Sequence, residues 1–512
     1  MGNTSENNKR IAKNTLLLYC RMLFLMVVSL YTSRVVLNAL GVEDFGIYNV
    51  VGGIVAMFTV LSGSLSAAIS RFITYELGKE NQDNLNKIFS SAVTIQLGLA
   101  GIIILLAETI GLWFLNAKMN IPEIRMGAAN WVFQFSILTF AINLISVPYN
   151  ASIIAHEKMS AFAYISILEA VGKLTIAFFI VISPMDKLIF YSILMCLVAI
   201  IIRSTYGNYC KRHFNECTYH FIWDKKLLKQ MFGFAGWNFI GAASAVLRDQ
   251  GGNVVINLFC GPSVNAARGI AFQVNNAVNQ FVTNFMTALN PQITKSYASG
   301  EKEYMMTLIF QGARLSFYML LLLSLPILTN THYILELWLK TVPEHTVYFV
   351  QLVLIFALSE SIAQPLITAM LATGRIRNYQ IIVGGLQMMN LPISYLLLQL
   401  GFFPEIVIII AIGISQCCLA ARLILLKGMI GISIRKYLQK VYFNIIAVSI
   451  AAVILPLIST NYIEESFINF IFISLIAIIC TITSIYFIGC NHQERQFIHQ
   501  KLGTIKSKFT QK

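Results

Sequence analysis

Basic side chains interrupt several of the long apolar runs in this sequence, and they are the residues there most able to do chemistry. Arg21 and Arg34 lie in the first run, Arg248 lies in the seventh, and Arg268 lies at the start of the eighth. A guanidinium group binds phosphate oxygens through a planar fork that an ammonium group cannot copy. These four arginines are therefore candidate ligands for an anionic headgroup in a cavity. The competing explanation, strongest for Arg21 and Arg34, is that a long side chain extends to the membrane interface.

Lys173 is another base inside an apolar run, and it follows Glu169 by four residues. That order and spacing favour an intrahelical ion pair, so the sequence predicts a structural role for Lys173.

Arg248 and Asp249 are neighbours about 100° apart on a helix, which predicts that they do not simply neutralise each other. At least one of the two is then expected to meet another helix, a cavity or an ion.

Three acids in the apolar runs are candidates for carrying a coupling ion. They are Asp249, Glu360 in the middle of the tenth run, and Glu108 toward the end of the third. Ionisable groups within a membrane often bind the proton or Na⁺ that drives transport. A hydrogen bond to a neighbouring helix is the equally supported alternative for Glu360 and Glu108.

The eighth run carries the clearest polar stripe. Its members recur at a helical spacing that keeps them on one face, and they are Gln273, Asn276, Gln280, Thr283, Thr287 and Asn290. Long amides turned to lipid would lack hydrogen-bond partners, so this face must meet protein or water. We expect a water-filled lumen in which Gln273, Asn276, Gln280 and Thr283 bind substrate. Such a lumen suits a sugar diphosphate better than a lipophilic drug.

The elements that position these side chains are membrane-spanning helices. The chain of 512 residues is 57% hydrophobic and 12% charged, whereas a soluble domain carries about 25% charged residues. About fourteen apolar stretches approach the roughly 20 residues that a spanning helix needs. These predicted spans lie near 14–40, 46–70, 88–115, 127–154, 160–182, 187–209, 231–258, 264–289, 306–328, 346–372, 378–401, 404–426, 441–459 and 466–489.

The distribution of charge predicts the topology. Lys and Arg are concentrated at the ends that an even number of spans and an inside N-terminus place in the cytoplasm. Both termini are therefore expected in the cytoplasm, and the net charge of +14 does not indicate a nucleic-acid partner.

The nine cysteines lack metal-ligand spacing, so no metal site is predicted. The sequence has no G-x-x-x-x-G-K-S/T motif and no nucleophile elbow.

The chain also resembles itself. RFITYELGKENQDNLNKIFSSA recurs as PQITKSYASGEKEYMMTLIFQGA at one offset, and PYNASIIAHEKMSAFAY recurs as PLITAMLATGRIRNYQI at a slightly shorter one. We call these the longer and the shorter repeat offset. Because they are nearly equal, they predict two parallel six-helix halves, which is a transporter architecture. The predicted divisions are one bundle at 1–222, a second at 223–428, and a last part at 429–512. That last part contains an interfacial segment, two helices and a basic cytoplasmic tail.

Two motifs resemble a known family. LGVEDFGIYNVV follows a basic leader and a first span with an arginine, and VPYNASIIAHEKM lies between the fourth and fifth spans. With the plan of six, six and two helices, they are similar to the polysaccharide (O-antigen and capsule type) flippases of the multidrug/oligosaccharidyl-lipid/polysaccharide exporter superfamily. The resemblance implies an all-α integral membrane fold with two six-helix bundles in a pseudo-twofold arrangement around a central cavity, and alternating access.

The resemblance further implies a flippase rather than an enzyme. It would move undecaprenyl-diphosphate-linked oligosaccharide units across the bacterial inner membrane for surface polysaccharide or lipopolysaccharide assembly. The expected partners are this substrate, membrane lipids and a polysaccharide polymerase or other assembly machinery. No cofactor is expected beyond a coupling H⁺ or Na⁺. A cation-coupled multidrug exporter of the same superfamily is the alternative. A membrane-embedded polymerase or glycosyltransferase is less favoured, because such enzymes usually carry a large extramembrane catalytic loop.

Overall fold

The computed structural model of the chain is all-helical in its described ranges, which are residues 2–56, 59–118, 121–339, 342–462, 466–491 and 494–496. Within them, some side chains, such as that of Arg34, are outside the description. The α-helices, numbered in chain order, are α1 (Gly2–Ala56), α2 (Thr59–Gly78), α3 (Gln82–Leu106), α4 (Leu112–Lys118), α5 (Glu123–Ala155), α6 (Met159–Ile182), α7 (Lys187–His213), α8 (Lys225–Ala298), α9 (Lys302–Thr329), α10 (Thr331–Leu339), α11 (Thr346–Ser361), α12 (Gln364–Thr373), α13 (Arg377–Met388), α14 (Asn390–Gln399), α15 (Ile406–Ile430), α16 (Ile434–Tyr437), α17 (Phe443–Tyr462) and α18 (Phe467–Ser484). Three π-helical turns occupy Ala107–Gly111, Leu438–Tyr442 and Ile485–Gly489.

Ten helices in the described part of the chain are long and apolar enough to cross a membrane. The bent pair α11 and α12 makes an eleventh if it counts as one span. The predicted count of fourteen spans is therefore not confirmed by length and composition. The three predicted spans outside this set lie near 46–70, 231–258 and 264–289, in α1, α2 and α8. The two of them in α8 contain many of the polar side chains singled out above, which lowers the hydropathy of these two spans.

Two helical runs are bent at glycines in matching positions. α1 is interrupted at Gly41 (φ 81°, ψ 169°) and α8 at Gly261 (φ 83°, ψ 177°), and the longer repeat offset relates the two glycines. Only glycine adopts this backbone region without strain. Two further pairs of positive-φ residues follow the repeat, and they are Glu80 with Gly300 at the longer offset and Glu157 with Gly374 at the shorter one. The backbone thus repeats at the offsets found in the sequence.

The helix ends have local causes. Asp186 begins α7, and its carboxylate accepts hydrogen bonds from the backbone N–H groups of Leu188 and Ile189, both at 3.1 Å. A side-chain oxygen at this position satisfies amides that the helix itself cannot. Gly374 and Gly431 follow α12 and α15 in the left-handed conformation, which ends a helix at no steric cost.

The chain forms two compact units, each described by itself. Unit 1 is Met1–Ala243 with Thr287–Glu301. One of its core clusters includes Leu115 of α4, Val132 and Phe133 of α5, and Leu188 of α7, all with 0% exposure. Burial of large apolar side chains of this kind stabilises by about 1.5–3 kcal/mol each. This packing fixes α5 and α7 in unit 1.

A buried carboxylate also organises unit 1. Glu157 follows α5, and its side chain is 1% exposed. Its oxygens accept hydrogen bonds from Gln292 Nε2 at 2.5 Å and Lys295 Nζ at 2.8 Å, and Oε2 lies 2.8 Å from Arg10 Nε. Asn14 Nδ2 donates to the Glu157 carbonyl oxygen at 3.3 Å. We call these five residues the Glu157 cluster, and it joins the start of α1, the end of α5 and the end of α8.

Unit 2 is Ser244–Met286 with Lys302–Lys512. α16 continues through a π turn into α17, and the Tyr437 hydroxyl donates to the Ile362 carbonyl oxygen at 3.0 Å. Arg435 and Lys436 beside it are exposed, so the predicted interfacial segment has one packed face and one basic face. The predicted divisions at 222 and 428 stay predictions.

Candidate substrate-binding sites

Unit 1 contains a cavity of about 470 Å³ lined by α1, α6 and α7, and we call it the unit-1 cavity. Its polar lining residues are Arg21, Ser29, Thr32, Tyr48, Ser166, Glu169, Lys173 and Tyr191. Small-molecule sites typically measure about 300–1,000 Å³. The cavity is therefore large enough for a small polar ligand, and hydroxyl groups and charges line it beside apolar side chains.

The Glu169–Lys173 ion pair predicted from the sequence is confirmed. Lys173 Nζ donates to Glu169 Oε1 at 2.6 Å along α6. The pair is not buried, however, because each side chain is 42% exposed and both line the unit-1 cavity. The sequence analysis gave Lys173 a structural role and did not include it among the binding residues, whereas the structure places it in the same cavity as Arg21.

Arg21 lies at this cavity, as its candidate role requires. Its guanidinium carbon stands 4.4 Å from the ring centroid of Phe162, a cation–π contact. The buried Arg21 Nε has no hydrogen-bond partner among the described residues, and the same holds for Thr32 Oγ1. The side chain of Arg34 lies outside the described residues, so its substrate-binding role stays a prediction.

Arg248 and Asp249 form an ion pair in unit 2. Arg248 Nε donates to Asp249 Oδ1 at 2.9 Å, and Nη2 donates to Oδ2 at 3.3 Å. The prediction that these neighbours do not neutralise each other is wrong. The arginine side chain is long enough to reach back to the adjacent carboxylate, and its fork contacts both oxygens. Arg248 also stands 5.1 Å from the ring centroid of Phe356 on α11.

Arg268 is buried beside this pair. It donates to Asn253 Oδ1 and, at 3.1 Å, to the carbonyl oxygen of Asp249. Its guanidinium lies 4.4 Å from the centroid of Phe272. Arg248 and Arg268 line a space of only about 10 Å³, which we call the unit-2 pocket. That volume holds about one water molecule, so the two arginines largely fill the pocket themselves.

The two remaining acid candidates differ in their surroundings. Glu360 at the end of α11 accepts a hydrogen bond from the Ser415 hydroxyl at 2.5 Å, and Ser415 also contacts Ser359 at 3.0 Å. Glu108 is exposed and accepts from Gln134 Nε2 at 3.0 Å. Both acids thus have the neighbouring-helix hydrogen bond considered as their alternative role, and their part in ion coupling stays a prediction.

The predicted polar stripe lies on an exposed face of α8. Its substrate-binding candidates are all at least partly exposed, and they are Gln273, Asn276, Gln280 and Thr283. Asn275 and Asn284 are buried instead, and they hydrogen-bond within the helix. Asn279 Nδ2 donates to Asn275 Oδ1 at 2.8 Å, and Asn284 Nδ2 donates to the Gln280 carbonyl oxygen at 2.8 Å. Whether water covers the exposed face stays a prediction.

Sequence reasoning missed three notable residues. Tyr48 and Tyr191 line the unit-1 cavity with ring centroids 4.8 Å apart. Tyr48 lies in the FGIYNVV motif and Tyr191 interrupts an apolar run, which was a weak signal for both. Arg422 of α15 is 1% exposed and was not among the candidate residues taken from the sequence. Nothing in its local sequence distinguishes it from a surface arginine.

Comparison with known proteins agrees with this architecture. Residues 11–297 match the polysaccharide biosynthesis protein family. The chain belongs to this family. An uncharacterized membrane protein, EpsK of Bacillus subtilis (strain 168), is 19% identical over 304 residues, or 58% of this chain. The matched region spans 59% of the length of that relative.

Solved structures show the fold. An outward-facing multidrug resistance MATE family transporter of the MOP superfamily has a TM-score of 0.71 at 12% identity, covering 83% of this chain and 96% of that chain. A MOP superfamily transporter from Pyrococcus furiosus, described as having a binding pocket of reverse polarity, has a TM-score of 0.67 at 13% identity with coverage of 83% and 96%. The predicted all-α integral membrane fold is confirmed, and the fold is the one that these transporters have.

Proposed function

We propose that this multi-pass membrane protein is a flippase that moves undecaprenyl-diphosphate-linked oligosaccharides from the inner to the outer leaflet of the bacterial cytoplasmic membrane. Both termini would lie in the cytoplasm. The observation that carries the proposal is the unit-1 cavity, which places two cations and several hydroxyl groups among membrane-spanning helices. Membership of the polysaccharide biosynthesis protein family supports a glycan as the cargo.

The lining of the unit-1 cavity favours a hydrophilic headgroup over a lipophilic drug. Arg21 and Lys173 provide charge, and Ser29, Thr32 and Tyr48 provide hydroxyl groups at one cavity. Oligosaccharide hydroxyls can exchange hydrogen bonds with such groups, whereas an apolar ligand would leave them unsatisfied. Charges inside membrane proteins usually mark the path of a polar substrate or ion.

The prenyl tail of the substrate would remain in the bilayer. Each methylene group withdrawn from an apolar environment costs about 0.8 kcal/mol, so a long prenyl chain cannot enter a polar cavity without a large penalty. Only the sugar and diphosphate then need protein contacts during translocation. Arg21, Arg34, Arg248 and Arg268 remain the candidate phosphate ligands, although Arg248 and Arg268 already use part of their donors on Asp249 and Asn253.

Transport also needs an energy source. We propose that H⁺ or Na⁺ provides it and that Glu360 is the first acid to test. Glu360 accepts a short hydrogen bond from Ser415, and Asp249 is paired with Arg248. Glu108 is exposed in the π-helical turn after α3 and has fewer partners in the described structure. A polysaccharide polymerase or other assembly protein is the expected recipient of the flipped product.

Deletion of the gene tests the function. We expect loss of surface polysaccharide and accumulation of the lipid-linked oligosaccharide in the inner leaflet, where an enzyme added to inside-out vesicles can reach it. Expression of the wild-type chain should restore export. Normal surface polysaccharide in the deletion strain, together with sensitivity to cationic drugs, would instead identify a multidrug exporter and refute the proposal.

A further inference from the structure

Each unit has an ion pair that joins the starts of two helices, and the internal repeat relates the two pairs. In unit 1, Arg125 Nη1 near the start of α5 donates to Asp186 Oδ2, directly before α7, at 2.6 Å. In unit 2, His345 Nδ1, directly before α11, lies 2.7 Å from Glu405 Oε1, directly before α15. The longer repeat offset relates the two cationic positions, and an offset one residue shorter relates the two acids. The two pairs are therefore two versions of one contact.

The sequence around the pairs supports this equivalence. The dipeptide Pro-Glu comes shortly before both cationic positions, as Pro122–Glu123 in unit 1 and as Pro343–Glu344 in unit 2. A proline also precedes both acids, and the longer repeat offset relates Pro184 to Pro404. Proline restricts the backbone and cannot donate a helical hydrogen bond, so it favours the start of a helix just after it. The helices of each pair therefore start at equivalent places, which brings a cation and an acid together in both units.

The two versions differ in the chemistry of the cation. Arginine stays charged at every pH that a folded protein meets, and Asp44 gives Arg125 a second carboxylate in unit 1. Imidazole is instead the side chain that gains or loses its charge between about pH 5 and 8. A neutral imidazole can still donate a hydrogen bond to a carboxylate, but a charge-assisted bond is about twice as strong. The strength of the unit-2 contact therefore depends on pH near neutrality, whereas that of the unit-1 contact does not.

The surroundings of the unit-2 pair let the solution pH act on it. The His345 side chain is 30% exposed, whereas that of Glu405 is 7% exposed. His345 also holds a left-handed φ of 68°, which a non-glycine residue keeps only where its contacts fix it. Two other ionisable groups lie beside the pair. They are Cys260 of α8, which interacts electrostatically with Glu405, and Glu344, which is exposed and precedes His345 in the chain. Neither can replace the imidazole as the cation.

The pair lies at one end of two helices that line the unit-2 pocket. Val353 of α11 and Val407 of α15 are among the lining residues, and Val407 lies within one helical turn of Glu405. Toward the other end of α11, Glu360 accepts the hydrogen bond from Ser415 of α15. The two helices thus have polar contacts at two places along their length. Loss of the first contact lets their starts separate while the second contact holds.

We propose that the His345–Glu405 pair is a pH-sensitive clasp on the unit-2 pocket. With His345 protonated, the pair holds the starts of α11 and α15 together and keeps the pocket at about 10 Å³. As the pH rises through neutrality the imidazole loses its charge, the helix starts separate more often, and the pocket walls move apart. In the topology predicted from the charge distribution these helix starts face away from the cytoplasm, so the clasp responds to the external pH. The inference does not depend on the cargo of the protein.

Hydrogen–deuterium exchange of the purified full-length protein in lipid nanodiscs tests the clasp, after correction for the intrinsic pH dependence of amide exchange. The amides to follow are those in the first two turns of α11 and α15, at about pH 5.5 and about pH 8.5. We expect opening to be about five- to tenfold more frequent at the higher pH, which corresponds to the difference between a charge-assisted and a neutral hydrogen bond. The first turns of α5 and α7, which Arg125 joins, are an internal control and should keep the same protection at both pH values.

Two substitutions of His345 separate the effect of its charge from that of its packing. His345→Arg gives unit 2 the permanent charge found in unit 1 and should give high protection at both pH values. His345→Gln keeps a hydrogen-bond donor without a charge and should give low protection at both. Glu344→Gln is the matched control, because it removes an exposed carboxylate beside the pair and should leave the response to pH unchanged. Thermal unfolding checks that each variant is folded.

Loss of the pH response in both His345 variants, with the response kept in Glu344→Gln, supports the clasp. Equal protection of the wild type at the two pH values, or a response that persists in His345→Arg, overturns it. Arg125→His is the reverse test in unit 1, and it remains decisive if a His345 variant does not fold. It should bring a pH response to the starts of α5 and α7, and unchanged protection there would also overturn the clasp. Because the exchange measurement involves no transport, its outcome is independent of the flippase function.

Discussion

Removal of the Glu157 carboxylate should destabilise unit 1 strongly. Gln292 is 3% exposed, and its hydrogen bond to Glu157 is a buried, charge-assisted contact. Such a bond contributes about 1.5–3 kcal/mol. Lys295 and Arg10 are 25% and 49% exposed, so water screens their pairs, which we discount to about 0–1 kcal/mol each. We therefore expect Glu157→Ala to cost about 1.5–5 kcal/mol.

The backbone provides a second, opposing term. Glu157 has φ 58°, in the left-handed region that costs a non-glycine residue about 1–2 kcal/mol. Glycine relieves this strain but loses some of the gain to chain entropy. Glu157→Gly should therefore be about 1 kcal/mol more stable than Glu157→Ala. Gly374 shows the same conformation at the equivalent repeat position, with φ 73°.

Thermal unfolding of the purified protein, followed by tryptophan fluorescence, measures both effects. A change of 1 kcal/mol shifts the Tm by about 2–4 °C in a unit of roughly 250 residues, so Glu157→Ala should lower the Tm by about 3–20 °C. Glu80→Gly is the matched control, because Glu80 is exposed and has φ 56°. It should leave the Tm unchanged or raise it slightly. A Tm for Glu157→Ala within about 1 °C of wild type would refute the stabilising role of the cluster.

Three other perturbations have defined outcomes. Gly261→Ala should lower thermal stability by about 1–3 kcal/mol through backbone strain. Steric clash does not contribute, because a Cβ at this position meets no atom within 4 Å. An unchanged Tm would show that the backbone bend relaxes. Burial raises the pKa of Glu216, but the hydrogen bonds from His156, Gln82 and the backbone, together with the charge of His156, outweigh burial and hold the pKa below its ordinary value. The ionised Glu216 carboxylate therefore stabilises the fold fully above the ordinary pKa of a glutamate, and this stabilisation is lost as the pH falls through the lowered pKa. Glu216→Gln should lower the Tm at pH 7 and flatten the dependence of the Tm on pH below about pH 4. Parallel Tm profiles of the variant and the wild type would contradict this. Arg248→Ala should impair glycan export and leave Asp249 unpaired, and Arg248→Lys should rescue export only in part because lysine lacks the fork; wild-type surface glycan with Arg248→Ala would exclude a counter-charge role.

Several features followed from the sequence because they depend on local spacing. Low charge and long apolar runs required a membrane protein, whatever the packing of its helices. Glu169 and Lys173 are four residues apart, so any helix brings them together, and the structure confirms the pair. The longer repeat offset reappears in the backbone at Gly41 and Gly261, and the shorter one reappears at Glu157 and Gly374.

Other features depended on tertiary structure. The sequence positions of Arg248 and Asp249 fix the directions in which their side chains leave the helix. The ion pair between them forms because the long arginine side chain bends back to the carboxylate, which the sequence does not specify. The unit-1 cavity brings Tyr48 and Tyr191 together from distant helices. Periodicity indicates which face of a helix is apolar, but it does not specify which other helix that face contacts. The size and charge of the cavity are therefore set by helix packing.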